Sequence, residues 1–204
     1  MSKLKKLELK TKEVYESNAA AFDEQRSKIL FEKKWLDKFL GHLNEGEEVL
    51  DVGCGSGDPI AKYLIEKKMK VTGVDFSSEM IDMATKRFSQ NEWHVQDMRK
   101  LNLNRKFKAI IAWNSYFHLT QSDQRSVFSL FDKHLQKGGI LMITVGPEKG
   151  EVEGLVNNQK VYHSSLSPDE YKELMDEHQF KLLEFAPNDP ECNGHTILLA
   201  CSTS

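Results

Sequence analysis

Asp51 precedes three glycines at alternate positions, Gly53, Gly55 and Gly57, directly behind the apolar stretch that begins at Val49 and ends at Val52. Glycines so spaced let a strand-to-helix turn take backbone angles that a Cβ would obstruct, and let a ligand approach the main chain. The next helix is expected to start near Pro59, because proline suits the first helical turn. Further along, Lys70 to Val74 reads as a second strand, and Asp75 at its tip is placed to accept both hydroxyls of a ribose. Taken singly, Asp75 also suits the cap of the following helix. Taken with the glycine turn, it describes a pocket for a nucleotide-bearing cofactor.

A dinucleotide fingerprint requires G-x-G-x-x-G, whereas this chain reads G-x-G-x-G with Asp58 at the position of the third glycine. Asp51 would set negative charge close to a pyrophosphate, yet suits a ligand bearing a sulfonium and an α-ammonium group. The segment resembles motif I, (D/E)-x-G-x-G-x-G, of the class I S-adenosylmethionine (SAM) dependent methyltransferases, through Asp51, Gly53, Gly55 and Gly57. Asp75 matches that family's ribose-binding acid, and Asp75-Phe76-Ser77-Ser78-Glu79-Met80 resembles its D-x-S-x-x-M segment. Asp97-Met98, after the strand-like Trp93-His94-Val95, matches the pair placed against the adenine amine; alone, Asp97 is equally an ordinary loop acid. The resemblance covers residues 45–145 well and the flanks loosely. It implies cofactor contacts from Cys54, Phe76, Met80, Met98 and Asn114 as well, although Cys54 by default is a small core-facing residue. SAM, with product S-adenosylhomocysteine (SAH) and no metal, is the expected cofactor.

Methyl transfer from a sulfonium is an in-line displacement, so aligning and desolvating the acceptor comes first. A base is needed when a hydroxyl or ammonium must lose its proton, and histidine is suited to that near neutrality. Acceptor-facing residues are expected after the fourth strand, where Tyr116 and His118 lie, and in the segment 146–166 after the fifth, which holds Tyr162 and His163. His118, His163 and Tyr116 are the catalytic candidates; for each the competing reading is a structural tie. Tyr162 is a substrate-side candidate, and His195 joins it if the register of the last strand turns it inward. In small members of the family, helices before the core cover the cofactor and help build the substrate pocket, which makes Tyr15, Phe22 and Arg26 lid and substrate-binding candidates; a Tyr and a Phe at helical spacing also read as plain packing.

These residues need a scaffold. Val49–Val52, Lys70–Val74, Glu92–Val95, Ala109–Trp113 and Ile140–Val145 read as strands, with helices over 59–67, 78–88, 121–136 and 168–178. Ser167-Pro168-Asp169-Glu170 is a helix start, and Gly138-Gly139 is expected to end the helix before it. Such alternation predicts an α/β, doubly wound, mostly parallel sheet with helices on both faces and ligands at the carboxyl ends of the strands. Phe180–Ala186 and His195–Cys201, joined by too short a link for a crossover, are expected to pair antiparallel. By the resemblance the sheet has seven strands with the last antiparallel, preceded by N-terminal lid helices over 15–22 and 26–43.

With 204 residues and 39% hydrophobic content the chain suits one domain. It divides into a cap (1–44), a cofactor core (45–145) and a substrate-side segment with C-terminal hairpin (146–204). A net charge of −3 lacks the basic footprint of a nucleic-acid binder. Three cysteines form neither a disulfide framework nor a metal spacing, and no apolar run suits a signal peptide or a membrane span. A cytoplasmic monomer or homodimer is expected. Asn114-Ser115-Tyr116-Phe117 departs from the (D/N)-P-P-Y of amino-methylating DNA and protein-glutamine enzymes. Asn114 and Gly146-Pro147-Glu148 stand where catechol-type enzymes chelate magnesium, and the cysteines that metalloid methylation would want are missing near the pocket. The function expected is methyl transfer (EC 2.1.1) to oxygen, nitrogen or sulfur of a small molecule. The alternatives are a SAM-binding sensor or partner subunit without transferase activity and, less favoured, a nicotinamide-dependent oxidoreductase.

Overall fold

A computed structural model of the chain describes residues 3–26, 29–156 and 159–203. The elements run α1 (Lys3–Gln25), α2 (Lys33–Leu40), β1 (Glu48–Val52), α3 (Ile60–Glu66), β2 (Lys70–Asp75), α4 (Ser78–Arg87), β3 (Glu92–Val95) and β4 (Phe107–Ala112). They continue as α5 (Gln121–His134), β5 (Leu135–Val145), β6 (Gly150–Val156), β7 (Gln159–Ser165), α6 (Pro168–Glu177), β8 (Phe180–Asp189) and β9 (His195–Ser202).

Alternate residues of the central strands are buried on opposite faces of one sheet. Val49 of β1 and Ala109 and Ile111 of β4 pack into one apolar cluster, while Leu50, Val52, Ile110 and Ala112 pack into the other. Strands buried on both faces must read as near-continuous apolar runs, and helices must cover both sides. Trp35, Leu36 and Phe39 of α2 and Ile60, Tyr63 and Leu64 of α3 cover the first; Val127, Phe128 and Phe131 of α5 and Tyr171, Leu174 and Met175 of α6 cover the second. The sheet has seven strands in the order β3-β2-β1-β4-β5-β9-β8. β3 to β5 pair in parallel, and β9 runs antiparallel between β5 and β8. The doubly wound sheet, its antiparallel end and the helix starts agree with the sequence reading. Ser77 caps α4, Thr120 caps α5, and Ser167 and Glu170 form a reciprocal capping box on α6.

Several boundaries differ. The helix predicted to run to 136 and stop at Gly138-Gly139 ends at His134, and β5 begins at once with Leu135. Leu135 pairs with Phe107 inside the second cluster, and the register shifts before Ile140 pairs with Ala109. That early pairing draws the residues around Gly138 into a strand. The predicted 15–22 helix is longer, Lys3–Gln25, whereas the predicted 26–43 helix is realised only as Lys33–Leu40; its residues 27–28 lie outside the described residues. The segment 146–166 folds as a separate hairpin of β6 and β7, with residues 157–158 outside the described residues. α1 packs against this hairpin and against α4. No helix among the described residues is long and apolar enough to cross a membrane.

Candidate functional site

At the carboxyl ends of β1, β2 and β4 lies a cleft of about 1250 Å³, open mouth included. Gly53 turns the chain off β1 with φ 76°, and a Cβ there would collide with the Ser115 side chain, which donates from Oγ to Val52 O at 2.6 Å. The turn is tied to β2 by Gly53 N–H and Cys54 N–H, both donating to Val74 O at 2.8 and 3.1 Å. Asp75 completes the tie, accepting from Gly55 N–H and Ser77 N–H at 2.9 Å each. Burial raises its carboxyl pKa, against the pull of those backbone donors. Each Asp75 oxygen accepts one bond in this arrangement and keeps acceptor capacity toward the cleft.

Four buried side-chain atoms have no hydrogen-bond partner among the described residues: Asp51 Oδ2, Asn114 Oδ1, Trp113 Nε1 and Glu32 Oε2. Buried polar atoms left unpaired cost about 1–3 kcal/mol each, so those that border one cleft mark a place for a ligand's donors and acceptors. Asp51, Trp113 and Asn114 line the cleft. Burial first, then the charge of Asp75, pushes the Asp51 carboxyl up to about 7, with Arg26 pulling the other way. Arg26 also lines the cleft and donates to Glu32 Oε1 at 3.2 Å. Two acceptors without donors, Asp51 and Asn114, fit an α-ammonium group; Asp75 fits vicinal hydroxyls. The residues present therefore fit SAM or SAH.

α1 crosses the cleft and is pinned at both ends of its inner face. Tyr162 N–H on β7 donates to Thr11 Oγ1 at 3.0 Å. At the other end Asp23 takes both guanidinium nitrogens of Arg87 on α4 and the Ser56 hydroxyl of the glycine turn. Between them Tyr15 and Phe22 face inward, with Phe76 opposite. Tyr15 Oη lies 2.8 Å from His118 Nε2, and His118 Nδ1 lies 2.9 Å from Tyr162 O. A carbonyl oxygen only accepts, so Nδ1 carries the proton and Nε2 accepts from the Tyr15 phenol. Burial and the neighbouring His163 hold the His118 imidazole neutral, its pKa brought down to about 3. Burial and then the Asp75 charge push the Tyr15 phenol above its usual range.

Of the sequence candidates, Asp51, Gly53, Cys54, Gly55, Asp75, Phe76, Met80, Asp97, Met98, Asn114, Tyr15, Phe22, Arg26 and His118 line this cleft. Asp97 is engaged there: burial opposes its charge, but the Arg99 guanidinium at 2.6 Å and the Arg99 backbone outweigh it and hold the pKa down. Five candidates lie elsewhere. Gly57 packs under Phe88 and Trp93, where a Cβ would meet ring atoms at 3.0–3.2 Å. Tyr116 is fully buried, its hydroxyl donating to Gln124 O at 2.5 Å. Tyr162 donates from its hydroxyl to Glu151 at 2.5 Å. His163 packs on Phe117 and His118 with ring centroids 4.7 and 4.8 Å away. His195 stacks behind the wall between Phe31 and Trp113. Sequence reasoning passed over Asp23, Ser56, Trp113, Lys12, Arg99 and Asp123, all of which line the cleft. Asp23 has no local signal, because its partners Ser56 and Arg87 are 33 and 64 residues away.

Seven carboxyl groups and three cations line the cleft, and several of the carboxyl groups are matched, Asp23 by Arg87 and Asp97 and Asp123 by Arg99.

Residues 49–139 match the family described as "Methyltransferase domain". The chain is 31% identical over 140 residues to a protein named putative methyltransferase YqeM from Bacillus subtilis (strain 168), covering 65% of this chain and 55% of that one. It is 29% identical over 125 residues to the dTDP-4-amino-2,3,4,6-tetradeoxy-D-glucose N,N-dimethyltransferase of Saccharopolyspora spinosa, covering 59% and 49%. It thus spans about half the length of these curated relatives. Among solved structures, a S-adenosylmethionine-dependent methyltransferase from Clostridium acetobutylicum ATCC 824 shares the fold with a TM-score of 0.72 at 17% identity, over 94% of this chain and 100% of that one.

Proposed function

We propose that this chain, whose residues 49–139 match the family described as "Methyltransferase domain", is a class I S-adenosylmethionine-dependent methyltransferase that transfers a methyl group from SAM to a heteroatom of a small molecule. The observation that carries the reading is the pairing of two orphaned acceptors, Asp51 Oδ2 and Asn114 Oδ1, with Asp75 held on backbone N–H groups across the same cleft. In this reading residues 1–44 form the cap, 45–145 the cofactor core and 146–204 the substrate side.

When bound, SAM supplies a methyl group made electrophilic by its sulfonium. Asp75 receives the ribose hydroxyls, Asp51 and Asn114 the ammonium group, and Met80, Met98 and Asp97 border the adenine. Arg26, held by Glu32, offers a cation to the carboxylate of the methionine portion. Tyr15 and Phe22 on α1 exclude water from the reacting centre, which strengthens each polar contact inside. His118 fixes the direction of the Tyr15 hydroxyl, leaving the phenol's lone pairs free to orient an acceptor's N–H or O–H.

Calorimetric titration with SAM, SAH and NADH tests the reading. Micromolar binding of the first two with NADH silent is expected; binding of NADH alone would return the chain to the oxidoreductases. A second reading, a SAM-binding subunit without transfer, is favoured by the neutrality of His118, which withdraws a base titrating near pH 7. Methyl release from radiolabelled SAM to an added acceptor separates the two.

A further inference from the structure

We infer that Arg99 is a positioning residue: it fixes the Asp97 carboxylate as the acceptor of a purine 6-amino group and so sets the preference of the cleft for a 6-amino over a 6-oxo purine. The inference rests on the SAM reading, in which Asp97 borders the adenine, and names what makes that carboxylate selective. Asp97 caps the short helical turn Met98–Lys100 behind β3, its Oδ1 accepting from Arg99 N–H at 3.0 Å. The Arg99 side chain folds back on the same carboxylate: Nε donates to Oδ1 and Oδ2 at 3.0 and 3.2 Å, and Nη2 donates to Oδ2 at 2.6 Å. Its remaining nitrogen, Nη1, lies 3.8 Å from Asp123 Oδ2 in the first turn of α5. Gln96 N–H donates to Asp75 O at 2.8 Å, which ties this loop to the strand that carries the ribose acid. Asp97, Arg99 and Asp123 all line the cleft.

The two oxygens of an ionised carboxylate offer about four lone-pair sites. In Asp97 the guanidinium fork covers the edge shared by the two oxygens, and the backbone N–H takes a second site on Oδ1, which leaves a site on Oδ2. Planar, bidentate pairing of this kind fixes orientation as well as charge. Burial works against the charge; Arg99, with a smaller share from Lys12, outweighs it, so Asp97 is an anion that only accepts. A 6-amino group donates to such an oxygen, whereas a 6-oxo group sets a second acceptor against it. A site built around a hydrogen bond to one group rejects the analogue that cannot make it. Without the fork the carboxylate turns about its own bond and takes up a proton more readily, and a protonated carboxyl donates to a 6-oxo oxygen. Arg99 thus suppresses the form of Asp97 that would receive the wrong purine.

The test uses the full chain titrated by calorimetry at pH 7 with SAH and with S-inosylhomocysteine, which carries a 6-oxo purine in place of adenine. The wild-type protein is expected to bind SAH about tenfold or more tightly than the 6-oxo analogue. Arg99→Gln, which removes both charge and fork, is expected to shrink that ratio severalfold, and Arg99→Lys, which keeps the charge alone, to fall between the two. A general loosening of the loop would weaken both ligands equally and leave the ratio where it was. An unchanged ratio in Arg99→Gln, or a wild-type protein that binds the two ligands alike, therefore overturns the positioning role and leaves the SAM reading standing. Failure of SAH to bind the wild-type protein removes the SAM reading and this role with it, so the two failures are told apart in one experiment.

Discussion

Asp51 and Asp75 face one cleft from neighbouring strands, and under the proposed function the protonation of the first bears on cofactor affinity. Folding raises the Asp51 carboxyl from its ordinary 3.8 to about 7, so the free protein takes up a proton there that the unfolded chain does not hold. Between those two values Asp51's contribution to stability falls as pH rises, because the unfolded carboxyl ionises freely while the buried one resists. Receiving an ammonium group requires the ionised form. SAH affinity is therefore expected to be level above pH 7 and to weaken by up to about tenfold per pH unit below it, read by calorimetry between pH 5.5 and 8.5. A flat profile would show that Asp51 is not the ammonium's partner. At Asp75 the expectation is simpler: Asp75→Ala loses charge-assisted bonds worth about 1.5–3 kcal/mol, weakening SAH binding by one to two orders of magnitude. Unchanged affinity would remove Asp75 from the ribose site. Tyr15→Phe leaves His118 Nε2 enclosed without a donor, at a cost of about 1–3 kcal/mol in chemical denaturation.

α1 is an element whose position is set by its ends. Its polar attachments include Thr11 to the β7 backbone, Tyr15 to His118, Asn18 to Gln159, and Asp23 to Arg87 and Ser56. Its apolar share is small, Val14 packed with Val156 and Val161 and flanked by Tyr15 and Phe22. A helix held by so few buried contacts opens more readily than the sheet it covers. Asp23→Ala is expected to speed amide exchange along α1 by about one order of magnitude or more, with β1, β4 and β5 unchanged. If α1 exchanges at its original rate, the Asp23 cluster is not what holds it. The start of α6 was legible from Ser167 to Glu170 because capping chemistry is local. The end of α5 was not, because Leu135 leaves the helix to pair with Phe107, a partner placed by the sheet.

Across the molecule, two apolar layers share one sheet, and β9 is the strand that closes it, between β5 and β8. Leu198 on β9 is wholly buried in the layer covered by α5 and α6. Leu198→Ala is expected to cost about 2–5 kcal/mol in denaturant unfolding while leaving SAH affinity nearly unchanged, since Leu198 is not among the residues lining the cleft. A loss of affinity matching the loss of stability would mean that the sheet's antiparallel end and the cleft respond as one unit. The sequence by itself determined the alternation of strands and helices, the doubly wound sheet and the glycine turn with Asp51 and Asp75. Each of these follows from side-chain period, backbone freedom or capping, and so from neighbours along the chain. Only the tertiary structure decided which aromatic and imidazole groups face the cleft. Tyr116 and His118 lie two residues apart in one loop, yet one enters the core and the other meets Tyr15, which is 103 residues away from it. It likewise decided that Asp23 joins α1 to the glycine turn and that His163 and His195 stand behind the first layer of the wall. Those outcomes depend on packing between segments remote in sequence, for which no local pattern of residues carries a signal.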